Sequence, residues 1–368
     1  MPVKKIVTDI QKIRKTKLTN LKITLDKHDW RDGIIIRSPN WLGDAIMAIP
    51  AIKMLKTIVP RDCATVLLCP ENIYPVFDSL NIIDHSFSFS ALHGYWNCKE
   101  ILRISHANFG VAVLFNSSFR DSFLFRFSML FGKIYALSGR LNNIFLTNAF
   151  SFDKFDELKG YHHTSKYLSV SYAFGSDFWD GKFPMFEDIK EPEITSSEVL
   201  KVASSDKLLA IAPGAAYGPA KKWNFANFAK VAEYWINEKK GSVVILGNKV
   251  DHSIASNIEN MIGSKGLFNL AGKTDLYDVI KILKNSKLCI SNDSGIMHLA
   301  SALGCPGIAV FGSTNPFLTS PLSEKWVSFY SDIDCSPCFK RDCPHKNYRC
   351  FEEIRPELII DEIDRIFR

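Results

Sequence analysis

At 368 residues, with 46% hydrophobic content and a mean hydropathy near zero, the chain suits about two globular domains, each with a core of its own. No apolar run approaches the roughly 20 residues of a membrane span. The basic start MPVKKIVTDIQKIRKTK lacks the apolar stretch and cleavage site of a secretory signal, so a cytoplasmic protein is expected. A net charge of +6 is modest for this length and does not point to nucleic acid as a partner.

Residues 1–30 hold eight Lys or Arg against three Asp, and Val3, Ile6, Val7, Ile10 and Ile13 recur at helical spacing. A short basic amphipathic helix is predicted there, either packed on the first domain or in contact with an anionic membrane surface. A strand over 34–37, a helix over 44–56 and buried-type strands over 66–69 and 111–115 form a first α/β alternation. The aromatic run FLFRFSMLFG (123–132) reads as core or helix packing, with a lipid-contacting groove as the alternative. His162-His163, before the helical stretch YLSVSYAF, reads as packing or surface. From about 183 to 207 the sequence turns acidic, polar and Pro-containing, which marks the interdomain connection.

A second alternation follows: strands over 208–212, 242–246, 268–270, 287–291 and 307–311, with helices over 224–237, 251–261, 275–284 and 295–303. The last segment, 356–367, has the pattern of an amphipathic helix. Strands separated by helices of this length predict parallel, doubly wound sheets. The expected fold class is therefore α/β with two Rossmann-like domains. Their bounds are a basic extension (1–30), an N-terminal domain (31–195), a C-terminal domain including a Cys cluster (196–355) and a terminal helix (356–368).

Three loops carry the chemistry. RSPNWLGDAIMAIPAI (37–52) follows a strand where many folds place a Gly-rich phosphate loop, yet it ends in a carboxylate, Asp44. That residue is either a cap on the next helix or a general base. APGAAYGPAKKWNF (212–225) offers Gly214 for close backbone approach and Lys221 and Lys222 as cations for a phosphate. In CISNDSGIMHLASALG (289–304), Asp293 and Ser294 are N-cap candidates, Gly295 opens a helix whose free N–H groups suit an anion, and His298 lies one turn on. Ordinary capping with a core-facing His298 is the alternative.

RSPNWLGDAIMAIPAI, PGAAYGPAKKW, NLAGKTDL and SNDSGIMHLASALGCPGIAVFGSTNP together resemble the glycosyltransferase family 9 heptosyltransferases of lipopolysaccharide core assembly, over about residues 33–330; FNSSFRDS (115–122) is similar to a further segment of that family. The resemblance implies a GT-B fold, in which two Rossmann-like domains face a cleft, the N-terminal one taking the acceptor and the C-terminal one the nucleotide sugar. It implies inverting transfer of heptose from ADP-heptose to a lipid A-Kdo-heptose acceptor, with no organic cofactor; a membrane-embedded acceptor favours peripheral contact with the inner membrane as an alternative to a solvated N-terminal helix, and the charge suggests no nucleic acid partner. Asp44 matches the catalytic aspartate. Gly214, Lys221, Trp223, Asp293, Ser294, Gly295 and His298 match the donor-binding loops, the choice between Lys221 and Lys222 staying open. Arg120, Arg126 and Arg140 are cations suited to acceptor phosphates or sugar acids. A family 9 transferase using another nucleotide sugar and a non-catalytic nucleotide-sugar-binding protein are the alternatives.

Of the nine cysteines, Cys335, Cys338, Cys343 and Cys350 cluster in DCSPCFKRDCPHKNYRCF. In a reduced compartment four clustered thiols favour a structural zinc or iron–sulfur centre over disulfides, with unligated thiols as the alternative. Asp332-Ile333-Asp334 spells a DxD, too common a pattern to carry weight.

Overall fold

A computed structural model describes residues 3–24, 30–80, 82–89, 98–129, 132–152, 161–182, 189–190, 194, 196–263 and 265–368. They group into two compact units, one built from residues 11–182 and the other from residues 191–368 with the first ten. Much of the expected connection around 183–195 lies outside the described residues. The strands are β1 (Val3–Ile6), β2 (Gly33–Arg37), β3 (Ala64–Pro70), β4 (His85–Phe89), β5 (Val111–Leu114), β6 (Lys133–Leu137), β7 (Asn148–Phe150), β8 (Leu208–Ala212), β9 (Ser242–Ile245), β10 (Leu267–Asn269), β11 (Leu288–Asn292), β12 (Gly307–Phe311) and β13 (Trp326–Ser331).

The first unit holds a sheet of order β4-β3-β2-β5-β6-β7, with every pair parallel. The second holds β1-β13-β12-β11-β8-β9-β10, all parallel except β1 against β13. Leaving β1 aside, both orders read 3-2-1-4-5-6 when each sheet is counted from its own first strand, the doubly wound order expected from the alternation. β2, β5, β8, β11 and β12 are buried along their whole length, because helices cover both faces of a parallel sheet. Uninterrupted runs such as GIII and LLAIA are the sequence trace of that burial.

In such a sheet the chain leaves its two central strands in opposite directions, and a crevice opens at their carboxyl ends. That point lies between β2 and β5 in the first unit and between β8 and β11 in the second. All three loops singled out from the sequence start at one of these strand ends.

The N-terminal helix is a correction. Val3–Ile6 adds an antiparallel edge strand along β13, and only Ile10–Lys15 is helical. Lys5 pairs with Glu362 at 3.0 Å, and Thr8 Oγ1 donates to Pro321 O at 2.6 Å. Backbone pairing with β13 satisfies the N–H and C=O groups of this segment that face it, a gain that side-chain periodicity does not reveal. Among the described residues no helix is long and apolar enough to cross a membrane.

Candidate active site

In the first unit β2 runs into Ser38–Trp41 and then the helix Leu42–Ile58. The helix starts two residues earlier than predicted, so Asp44 sits inside its first turn. Trp41 holds the cap position without a side-chain cap bond. Asp44 is half-buried, and its Oδ1 accepts from Tyr167 Oη at 3.2 Å. Tyr167 comes from the helix His163–Ala173. Burial, and then the charge of Asp44, push its phenol well above the ordinary tyrosine range, so it stays a donor. The arrangement is a carboxylate at a switch point whose rotation is fixed by a neutral hydroxyl. His162, from the expected packing pair, caps the Tyr167 helix by accepting from Thr164 N at 3.2 Å.

Beneath the Asp44 loop lies a buried ion pair. Arg37, the last residue of β2, has its Nε 3.1 Å from Asp121 Oδ2, with both side chains almost fully buried. Arg37 Nη2 donates to Asn40 Oδ1 at 2.5 Å, its guanidinium lies over the Phe89 ring, and Asn116 Nδ2 donates to Asp121 Oδ2 at 2.6 Å. The pair therefore ties the end of β2 to the helix Phe119–Ser128, and Asn40 and Asn116 join the loops after β2 and β5 to it. Sequence reasoning missed it together with Tyr167; the only signal was an Arg ending an otherwise apolar strand.

In the second unit β8 leads through Gly214 to a 3₁₀ turn, Pro219–Lys221, and then to the helix Phe225–Asn237, capped by Asn224. The two lysines diverge. Lys221 Nζ lies 2.6 Å from Asp293 Oδ2, whereas Lys222 Nζ lies 3.1 Å from Asp251 Oδ1. Asp251 closes its own turn with Asn248 and fills the space beside Gly214, where an added Cβ would come within 2.3 Å of the carboxyl group. Gly214 is thus needed for a side chain's close approach. Trp223 is a core anchor: it is buried, donates from Nε1 to Ile354 O at 2.8 Å and meets Phe228 edge to face.

The loop after β11 completes this set. Asp293 does not cap the next helix, because its Oδ2 takes Lys221 and the hydroxyl of Thr314 at 2.7 Å. Ser294 occupies the cap position of the helix Gly295–Ala302 without a cap bond; its Oγ lies 2.9 Å from Ser291 Oγ. The helix thus starts with N–H groups that no Ser294 or Asp293 side chain takes, beside a lysine. His298 is buried in the helix, as the packing alternative had it. Asn292, buried at the end of β11, accepts from Trp223 N at 3.0 Å and donates to Pro213 O at 2.7 Å. It locks the two loops in register, and together with Thr314 it was legible only as part of a motif.

Cys335, Cys338, Cys343 and Cys350 line one pocket of about 250 Å³ with His345 and Ser313. The eight described cysteines are all free thiols, and among the described residues no three or more His, Cys, Asp or Glu side chains are arranged to hold a metal ion. Burial, with the other three sulfurs nearby, pushes Cys350 up to about 12. The Cys loop is fastened to the Lys221 loop. Ala220 N donates to Arg341 O at 3.0 Å, Phe339 N to Ser313 O at 2.8 Å, and Tyr217 Oη to Phe339 O at 2.7 Å. Lys221 Nζ in turn lies 5.1 Å from the Tyr217 ring centroid. Asp332 of the DxD pairs with Lys4, outside the site.

Two sheets of this order, a held carboxylate at one switch point and a lysine-carboxylate set beside an open helix start at the other, place the chain among two-domain, doubly wound α/β proteins with a place suited to an anion. Residues 103–349, more than half of the chain, match Glycosyltransferase family 9 (heptosyltransferase), and the chain belongs to that family. A lipooligosaccharide heptosyltransferase 2 of Campylobacter jejuni (serotype O:2) is 28% identical over 346 residues, covering 91% of this chain and 98% of its own. The structure of Escherichia coli ADP-heptose lps heptosyltransferase II superposes with a TM-score of 0.72 at 20% identity, covering 90% of this chain and 98% of that one. A family 9 glycosyl transferase from Veillonella parvula gives 0.73 at 19% identity, covering 96% and 99%. These likenesses establish the expected GT-B fold.

Proposed function

We propose that this glycosyltransferase is an inverting, heptosyltransferase II-like enzyme that moves heptose from ADP-L-glycero-D-manno-heptose to the inner core of lipopolysaccharide. The observation that carries the reading is the second-unit set, in which Lys221, held by Asp293 and Thr314, stands beside the uncapped start of the helix Gly295–Ala302. A diphosphate fits this place because a cation and converging backbone N–H groups meet its charge without a bound counter-ion. Lys221 rather than Lys222 is the phosphate contact, since its partner Asp293 adjoins the uncapped start of Gly295–Ala302, whereas Lys222 is drawn to Asp251 on another loop.

In the reaction the acceptor hydroxyl attacks the anomeric carbon while Asp44 takes its proton, and the bond from that carbon to the diphosphate oxygen breaks with both electrons leaving on ADP. Lys221 and the helix start stabilise the negative charge that collects on the leaving diphosphate. A single displacement of this kind inverts the anomeric centre. Tyr167 positions the base through its bond to Asp44 Oδ1. No organic cofactor enters the scheme. The acceptor is a lipid A-Kdo-heptose, so the enzyme works where the cytoplasm meets the inner membrane. The four thiols on one pocket support a structural zinc or iron–sulfur centre as a separate reading, although the side chains as they stand are not in ligand geometry; elemental analysis of the purified protein decides it.

The test is ADP release from ADP-heptose with a heptosyl-Kdo-lipid A acceptor. Release should depend on the acceptor and fall by about 10² to 10⁴ in Asp44→Ala, with ADP affinity unchanged. A folded protein that binds ADP and releases none from ADP-heptose would be a binding protein or a transferase for another sugar.

A further inference from the structure

The helix Phe119–Ser128 turns an aromatic stripe outward. Phe125 and Met129 are buried, as the packing reading of 123–132 expected, but Phe119, Phe123 and Phe127 are exposed, Phe127 by 58%. Leu130 and Phe131 lie outside the described residues. The three exposed rings form one surface, with Phe119 and Phe123 stacked at 6.4 Å and Phe123 and Phe127 at 4.5 Å. Phe145, from the 3₁₀ turn Asn142–Phe145, closes on Phe119 at 5.2 Å and on Phe123 at 5.3 Å. The same turn carries Leu141 and Ile144, exposed by 73% and 75%. A patch of this kind on a water-exposed face has a cost unless something covers it.

The charges around the patch select its occupant. From residue 115 to 150 the cations are Arg120, Arg126, Lys133 and Arg140, and the single carboxylate is Asp121. Asp121 is turned inward against Arg37 and Arg120, so among the described residues of this segment Arg126, Lys133 and Arg140 are exposed and no acid is. Arg126 and Arg140 are exposed and adjoin Phe127 and Leu141 in the chain. Topology adds the location. Phe119 follows β5, Leu141 and Ile144 follow β6, and the 63%-exposed Trp41 follows β2, so all four stand at the carboxyl edge of the sheet, the edge that carries Asp44.

We propose that this aromatic and arginine face is the surface by which the first unit docks on an anionic lipid bilayer, its rings entering the boundary between headgroups and acyl chains and its arginines meeting lipid phosphates. Membrane contact thus moves from the N-terminal segment, whose Val3–Ile6 is an edge strand, to the helix Phe119–Ser128. The proposal rests on the lipid-linked acceptor reading for which membrane is met, and on the surface alone for docking.

Vesicle co-sedimentation of the full chain, without donor or acceptor, tests it. Wild type should pellet with phosphatidylglycerol-containing vesicles and remain in solution with pure phosphatidylcholine. Phe127→Ser with Ile144→Ser should lower partitioning at least about tenfold. Arg126→Glu with Arg140→Glu, which removes no apolar surface, should lower it about fivefold or more per residue, and added salt should weaken wild type. Thermal melts of both pairs establish folding, and either pair suffices. Wild type that stays in solution, or folded variants that bind as wild type does, overturns the proposal. So does a concentration-dependent dimer lost in the same variants, which assigns the face to a second copy. A protein that transfers heptose yet ignores vesicles refutes the docking surface and leaves the transferase reading standing.

Discussion

Lys221→Met and Lys222→Met form a matched pair, because methionine keeps the apolar stem of each lysine and removes only the charge. Lys221 Nζ is 2.6 Å from Asp293 and lies beside the open helix start, whereas Lys222 Nζ is 3.1 Å from Asp251, which is occupied with closing its own turn. A hydrogen bond to a charged group contributes about 1.5–3 kcal/mol. Losing one between Lys221 and a diphosphate should therefore weaken ADP binding about 10- to 150-fold, at about 1.4 kcal/mol per factor of ten. Lys222→Met should change it less than about threefold. Lys221→Met also leaves the buried Asp293 without its counter-charge, a loss that can reach about 3–5 kcal/mol of stability. The companion Lys221→Met/Asp293→Asn removes that uncompensated charge and should recover the fold while ADP binding stays weak. Calorimetric titration of ADP into the four proteins reads affinity, and melts read stability. The reasoning fails if Lys221→Met binds ADP within threefold of wild type while folded, or if Lys222→Met loses as much.

Arg37→Met should cost up to about 3–5 kcal/mol in chemical denaturation, because it removes the buried counter-charge of Asp121 and leaves only the partly exposed Arg120 at 3.4 Å, and Arg37→Met/Asp121→Leu should recover a large part of the loss. A single-variant cost below about 1 kcal/mol would mean that the pair does not hold the Asp44 loop. Burial raises the thiols of Cys69 and Cys305 from 9.0 to about 12. These groups hold their protons longer when folded than when unfolded, so their contribution is fully present below pH 9. It is then lost at about 1.4 kcal/mol per pH unit for each thiol as pH rises toward 12. Denaturation midpoints should match at about pH 7 and about pH 8 and fall sharply by about pH 10.5; an unchanged midpoint would refute the assignment.

Both sheets were legible because their central strands are buried on two faces and leave apolar runs bounded by turn residues, as GIII and LLAIA do. Five strands were missed, of which β6 (KIYAL) and β13 (WVSFYS) are mostly buried but have polar or charged residues in their short runs, and three are of another kind. β4, HSFSF, alternates polar and apolar residues at an edge, β7 is three residues long, and β1 is basic and joins a strand more than 300 residues away. Motifs located the site loops, yet they could not orient side chains. Lys221 and Lys222 are neighbours in sequence and go to carboxylates on different loops, while Asp293, a capping candidate by position, is a lysine partner in space. Tyr167 stands 123 residues from Asp44 and no local pattern connects them. The aromatic run failed in a further way: it reads as core or helix packing, yet among the described residues Phe123 and Phe127 are exposed.

The Cys loop shows what an exposed segment can do for a buried site. Residues 332–350 are mostly exposed and have little core of their own, yet their backbone reaches Ala220 and Ser313, and their Phe339 carbonyl accepts from Tyr217. An added Cβ at Gly218, whose φ is +156°, would come within 2.5 Å of Arg341 O, so that position admits only glycine and lets the two segments touch. Lys221 is three residues further on, in the 3₁₀ turn that this contact backs, and Thr314, the hydroxyl on Asp293, adjoins Ser313. Hydrogen bonds to a mobile strap would contribute little order, because the strap's own entropy would oppose them. Four free thiols line one pocket in this loop, and an ion held by them would reduce that entropy. The cluster lies outside the Lys221–Asp293 set, yet the position of that lysine depends on how firmly the loop behind it is held.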